Sequence, residues 1–208
     1  MTDQTAAHWQ RTYRDHNIEE LSWTETVPDT SLTMIGESAV PLDAAIIDVG
    51  GGASRLAAEL LRCGYSDVTV ADISAEALDR ASAELAEETS RMNWIEADAR
   101  DHDFDRRFDL WHDRALFHFL VEPDDRDGYL AVLRRSLQPG GHLILATFGP
   151  QGPTQCSGLP VDRYDAAAIS RTLGGEFELI SSQLAEHRTP AHRAQQFLYA
   201  HLRYLGSA

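Results

Sequence analysis

Short apolar runs recur along the chain, spaced so that a helix fits between them. They are Ala45-Ile46-Ile47-Asp48-Val49, Val68-Thr69-Val70-Ala71-Asp72-Ile73, Met92-Asn93-Trp94-Ile95-Glu96-Ala97-Asp98, Phe108-Asp109-Leu110-Trp111-His112-Asp113 and Gly141-His142-Leu143-Ile144-Leu145-Ala146-Thr147-Phe148. Runs of this length and β-branched content predict buried strands. Arg55-Leu56-Ala57-Ala58-Glu59-Leu60-Leu61 predicts a helix after the first run. A second helix is predicted over 74–89, with Ser74 or Asp72 able to cap it. Leu137-Gln138-Pro139-Gly140-Gly141 reads as a helix stop and turn before the fifth strand. After a hinge-like turn at Gly149-Pro150-Gln151-Gly152-Pro153 come a loop over 154–161, a helix around 165–173 and strands over 177–184 and 195–204. The alternation of strands and helices implies an α/β fold.

The chemistry starts where the first strand ends. Asp48 is followed at once by Val49, Gly50, Gly51 and Gly52, and then by helix. Glycines at such a turn allow positive φ and close approach of a ligand to the backbone. The unpaired N–H groups of the following helix then face that ligand. In a dinucleotide fingerprint a third glycine would fall on Arg55, whose bulk fits poorly with pyrophosphate approach. Asp72 lies 24 positions after Asp48 at the end of the second run, near the spacing at which a carboxylate reaches two ribose hydroxyls. Asp98 ends the third run in the same way, with Ala99 next.

Asp48, Gly50 and Gly52 match the acid-x-G-x-G-x-G pattern of class I S-adenosylmethionine (SAM) methyltransferases, with Ser54 in the third glycine position. With Asp72, Asp98 and the segment after the fourth strand, the chain from Ala45 to about Tyr204 resembles that family. The resemblance implies a Rossmann-like, doubly wound sheet of seven strands, the last antiparallel, with helices on both faces and SAM across the strand ends. It implies that Asp48, Gly50, Gly51, Gly52, Asp72 and Ile73 hold the cofactor, that Asp98 accepts from the adenine amino group, and that the Ala99 amide faces the ring. It divides one domain into an N-terminal helical cap (1–44), a SAM-binding half (45–148) and a substrate-side half (149–208).

Aromatic residues gather in the cap: Trp9 and Tyr13 at i, i+4 on one helical face, then Trp23. Their arrangement is similar to the N-termini of small bacterial methyltransferases and of the thiopurine methyltransferase group. Trp9, Tyr13 and Trp23 are expected to form a lid over the sulfonium, which aromatic faces attract. After the fourth strand stands His112-Asp113-Arg114-Ala115-Leu116-Phe117-His118. It is partly similar to the Asp-Lys-Gly-Thr segment of lysine methyltransferases such as the citrate synthase enzyme, with Asp113 at the acid and Arg114 at the Lys. His112, Asp113 and His118 are the catalytic candidates, the two imidazoles as bases. A second wall is expected from 153–164 and from 186–190.

Charge and cysteine content narrow the partners. The chain of 208 residues carries a formal net charge of −15, and all 18 basic residues are Arg, as expected of a GC-rich bacterial genome. That balance opposes a nucleic-acid partner. No run approaches the length of a membrane span, and no export signal opens the chain, so a cytoplasmic protein is expected. Cys63 and Cys156 form no disulfide or zinc pattern, Cys63 reads as a small core residue, and no metal is expected. The expected function is direct in-line transfer of the SAM methyl group to a small-molecule or protein side-chain acceptor. A SAM-binding sensor without catalysis and a nicotinamide-dependent oxidoreductase are the alternatives.

Overall fold

The computed structural model describes residues 2–85 and 90–206. Helices α1 (Thr2–Asp15) and α2 (Asp29–Glu37) precede the first strand, β1 (Ala45–Val49). Then follow α3 (Leu56–Arg62), β2 (Asp67–Asp72), α4 (Ala75–Leu85), β3 (Met92–Glu96), β4 (Phe108–Arg114), α5 (Pro123–Ser136) and β5 (Leu137–Phe148). A small hairpin, β6 (Gln155–Cys156) and β7 (Leu159–Pro160), leads to α6 (Ala166–Leu173), β8 (Phe177–Arg188) and β9 (Ala194–Tyr204).

Seven strands form one sheet in the order β3-β2-β1-β4-β5-β9-β8. The first five pair in parallel, and β9 runs antiparallel to both β5 and β8. The last strand is thus the reversed one. Strand side chains alternate between faces. Ile47, Val49, Trp111, Leu143 and Leu145 pack with α5 and α6 on one face. Ile46, Val68, Val70, Leu110 and Ile144 pack with α2 and α3 on the other. Burial on both faces explains why these strands read as continuous apolar runs.

Three local expectations need correction. The Pro139-Gly140 segment belongs to the irregular start of β5: α5 stops at Ser136, Gly140 takes φ +84°, and the register slips between Phe108 and Leu110. The loop over 154–161 contains a hairpin, closed by Ser157 and Gly158 at φ +49° and +75°, the signs of a type I′ turn. Cys63 is exposed, because α3 ends at Arg62 and turns its core face elsewhere. Helix α4 is described to Leu85, and the rest of the helix expected over 74–89 falls in 86–89, outside the described residues.

Capping fixes the elements around the strand ends. The Ser74 hydroxyl accepts from the Ala77 amide, and Asp165 accepts from the Ala168 amide to start α6. Helix α1 is pinned to α4 from both ends: Gln10 accepts from the Glu76 amide at 3.0 Å, and Arg80 donates to the Arg14 and His16 carbonyls. Among the described residues no helix is long and apolar enough to cross a membrane.

Helix α5 lies against the turn after β3 at Gly128, where an added Cβ would stand 2.6 Å from the Arg100 carbonyl oxygen. Alanine would gain about 1 kcal/mol in helix propensity but overpack this contact by about 1–3 kcal/mol. Gly128→Ala should therefore lower stability in urea unfolding, where propensity alone would raise it.

Candidate functional site

A cavity of about 290 Å³ opens at the carboxyl ends of β1, β2 and β4, beneath α1. Gly50, Asp72, Ile73, Asp98 and Ala99 line it from the sheet. Trp9, Tyr13 and Trp23 line it from the N-terminal cap. A smaller recess of about 50 Å³ adjoins it and is lined by Ser31, Asp48, Gly50, Gly51, His112 and Arg114, among others. Gly50, Tyr13, Trp23 and Arg114 border both spaces.

The turn after β1 leaves no space for side chains. Gly50 and Gly52 take φ +67° and +47°. A Cβ on Gly50 would meet the Leu116 side chain at 2.7 Å, one on Gly51 the Asp48 carboxylate at 2.8 Å, and one on Gly52 the Tyr13 hydroxyl at 2.5 Å. The Tyr13 ring therefore rests on Gly52, and burial together with the nearby Asp72 charge raises its pKa. Trp9 meets Trp23 and Phe119 edge-to-face at centroid distances of 5.8 and 5.0 Å.

Asp72 serves the local fold and the cavity together. Its Oδ1 accepts from the Ser74 amide at 2.8 Å, while Ser74 itself caps α4. Burial pushes its pKa up to about 7, against backbone hydrogen bonds that pull it down. Asp98 is held differently. Arg100 forks onto both carboxylate oxygens, with Nη2 to Oδ2 at 2.6 Å, and reaches Asp125 at 2.9 Å. Burial alone would raise the Asp98 pKa, but these bonds outweigh it and the value is lowered.

The far wall was only partly legible. Cys156, Leu159 and Pro160 of the hairpin line the cavity, as do Arg114, Ala115, Leu116, Phe119 and Leu120. Segment 186–190 stays outside: Glu186 and Arg188 pair in solvent, and the His187 Nε2 meets the Ser22 carbonyl at 2.8 Å. Arg114 bonds the Trp23 carbonyl and the Tyr199 hydroxyl, pairs with Glu25 at 3.0 Å and sits 4.8 Å over the Phe197 ring. No local pattern announces those partners.

The three catalytic candidates do not reach the main cavity. Asp113 is fully buried. It accepts from the Tyr129 hydroxyl at 2.7 Å and from the Leu116 and Phe117 amides, so it shapes the turn in which Ala115 takes φ +70°. Burial raises its pKa to about 6 despite these bonds. His112 faces the small recess, with Nδ1 2.7 Å from Asp48 Oδ1 and Nε2 2.9 Å from Ser31 Oγ. His118 lies in the core, its ring 4.4 Å from that of Phe148 and its Nδ1 accepting from the Phe148 amide. Apolar burial turned it inward and lowers its pKa to about 3. Among the described residues lining the main cavity there is no histidine.

A buried neutral His118 links stability to pH. Its folded pKa lies below the unfolded value of 6.5, so its contribution is present above pH 6.5 and is lost as pH falls toward 3. His118→Phe should cost about 1–3 kcal/mol at neutral pH, because the Phe148 amide loses its acceptor. The difference from the parent should narrow at pH 5 in urea unfolding. A constant difference would contradict this placement.

Comparisons with known proteins agree with the geometry. A family model described as a methyltransferase domain matches residues 46–141, the stretch that carries the glycine turn and the three acids. EEF1A lysine methyltransferase 2 of Danio rerio is 27% identical over 145 residues, covering 66% of this chain and 62% of that one. The chain thus spans about 62% of that relative's length. A SAM-dependent methyltransferase from Anabaena variabilis superposes with a TM-score of 0.75 at 16% identity, covering 96% of this chain and 95% of that one. The 1,6-didemethyltoxoflavin-N1-methyltransferase of Burkholderia thailandensis, solved with that substrate and S-adenosylhomocysteine, gives 0.72 at 20% identity, covering 98% and 90%. The strand order with its reversed last strand gives the chain the fold of these solved methyltransferases, and the methyltransferase-domain match falls on the part of that fold that carries the glycine turn.

Proposed function

We propose that the protein moves the methyl group of SAM to a small-molecule or protein side-chain acceptor. The observation that carries this reading is the line of Gly50, Asp72, Ile73, Asp98 and Ala99 along one side of a single cavity at the strand ends. The residues present also fit the cofactor: beside the glycine turn, Asp48 Oδ2 is buried with no hydrogen-bond partner. When bound, SAM supplies a methyl group on a positively charged sulfur that becomes neutral on transfer.

The chain's own residues bind, orient and exclude water. Asp72 accepts from the two ribose hydroxyls, which suits a carboxylate with one oxygen tied to Ser74. Asp98, fixed by the Arg100 fork, accepts from the adenine amino group, with the Ala99 amide and the Ile73 side chain against the ring. Trp9, Tyr13 and Trp23 cover the sulfur, where aromatic faces favour a cation and keep water out. Orientation of this kind supplies up to about 7–11 kcal/mol of barrier reduction. Asp113 and His118 act from behind the wall as structural supports.

The mixed but largely apolar far wall of Phe119, Leu120, Leu159 and Pro160 supports an acceptor with an apolar body. The lysine methyltransferase relative and the toxoflavin methyltransferase neighbour support both acceptor classes. The strongly acidic composition supports a partner other than nucleic acid.

Incubation with methyl-labelled SAM and a panel of thiols, amines, phenols and a protein lysate tests the reading. The parent protein should pass label to one acceptor class, and Asp72→Asn should pass far less. Because the Asp72 carboxyl titrates near 7 and the ribose hydroxyls donate to its ionised form, SAM affinity should rise from about pH 6 to pH 8 in the parent and stay flat in the variant. Equal transfer by both proteins would refute the assignment of Asp72.

A further inference from the structure

The far wall of the main cavity sets one charged side chain, Arg114, among the apolar Leu116, Phe119, Leu120, Leu159 and Pro160. The other charged residues that line the cavity stand elsewhere: Asp98, Arg100 and Asp125 are bound to one another, and Asp72 ends β2. Arg114 also borders the small recess, and its counter-ion Glu25 lines that recess and not the main cavity. The pair is therefore lopsided, with the carboxylate compensating the guanidinium from the recess side.

The guanidinium is held in place but not exhausted. Its side chain is only 11% exposed. Nε donates to the Tyr199 hydroxyl at 3.0 Å and Nη1 to the Trp23 carbonyl at 2.9 Å. Nη2 lies 3.0 Å from Glu25 Oε1, yet it is buried without an aligned hydrogen bond, so its N–H groups stay available to a ligand. The charge is felt along the wall. Burial raises the pKa of the Cys156 thiol, and Arg114 is among the groups that pull it back down. Burial, and then the Arg114 charge, lower the pKa of His118 and of His187. Around this guanidinium anions are favoured and cations opposed.

We propose that Arg114 is the specificity-determining residue for the methyl acceptor, which enters as an anion: a thiolate or a carboxylate on an apolar body. This rests on the methyltransferase reading and names the substrate class of the same cavity. The apolar wall takes the body of the acceptor, and the buried cation offsets the cost of removing its anionic end from water. The acceptor leaves its proton in water before it enters. Its lone pair then forms the new bond to the methyl carbon, the bond from that carbon to the sulfonium breaks, and the electron pair of the broken bond stays on the departing sulfur. One negative and one positive charge become two neutral products. A wall of low polarity favours that cancellation. An ammonium acceptor would bring a second cation to Arg114 and has no lone pair to give.

Thiophenol, benzoate and benzylamine share one apolar ring and differ in charge slightly above neutral pH, so they read the preference directly. Protein loaded with S-adenosylhomocysteine is titrated with each by calorimetry, and each is then offered with methyl-labelled SAM. The parent should bind one of the two anions at least about tenfold more tightly than benzylamine and pass label to it. Label on thiophenol marks a thiolate site, and label on benzoate a carboxylate site. Arg114→Gln should weaken that anion about tenfold, and Arg114→Lys, which keeps the charge, should recover most of the loss. Glu25→Gln removes the counter-ion and should tighten the anion about threefold. If Arg114 only tethered the cap, Glu25→Gln would weaken the anion as Arg114→Gln does, and that result would overturn the proposal. A preference for benzylamine, or no label on either anion from a protein that binds SAM, would overturn it too. A parent that binds no SAM would overturn the methyltransferase reading and this proposal with it.

Discussion

The turn after β1 has no room for a side chain, and the rest of the site is packed against that restriction. Leu116 fills the space over Gly50, Asp48 and Val70 close on Gly51, and the Tyr13 hydroxyl rests on Gly52. Three elements far apart in sequence thereby meet at one backbone bend: the first helix, the ends of β1 and β2, and the turn after β4. Two of the glycines hold left-handed φ values, so the bend is excluded to other residues on both conformational and steric grounds. Buried carboxylates surround this bend, and the Gly50 and Gly51 amides are themselves spent on the Ala71 carbonyl.

Those carboxylates are the second constraint. Asp48, Asp72 and Asp113 all lie in the interior, where an unpaired charge is expensive. Each is handled differently. Asp113 is neutralised in effect by three donors and spends itself on the fold. Asp48 is half satisfied by His112 and keeps one oxygen open. Asp72 keeps a raised pKa that a hydroxyl-bearing ligand would relieve. The contrast between committed and uncommitted acids separates scaffold from site better than proximity in sequence does.

The sheet was legible because its strands are buried on both faces and therefore read as unbroken apolar runs. The acids at the ends of β1, β2 and β3 were legible for the same reason, as polar residues where an apolar run stops. Leu137 to Gly141 marked the helix stop correctly, but Pro139 and Gly140 sit in an irregular strand entrance and not in a turn. His112, Asp113 and His118 were correctly seen as clustered after β4, but strand alternation and the following turn bury all three, and only His112 borders even the small recess. Ser31 and Tyr199 carry no local signal at all. Ser31 lies 81 residues from His112 and Tyr199 lies 85 from Arg114, so only the folded chain brings them together.

The glycine turn and the acids beyond it suit SAM and not a nicotinamide dinucleotide. Calorimetric titration with SAM and, separately, with NAD tests it most directly. SAM should bind saturably in the micromolar range, and NAD should not bind. Binding of NAD without binding of SAM would contradict it.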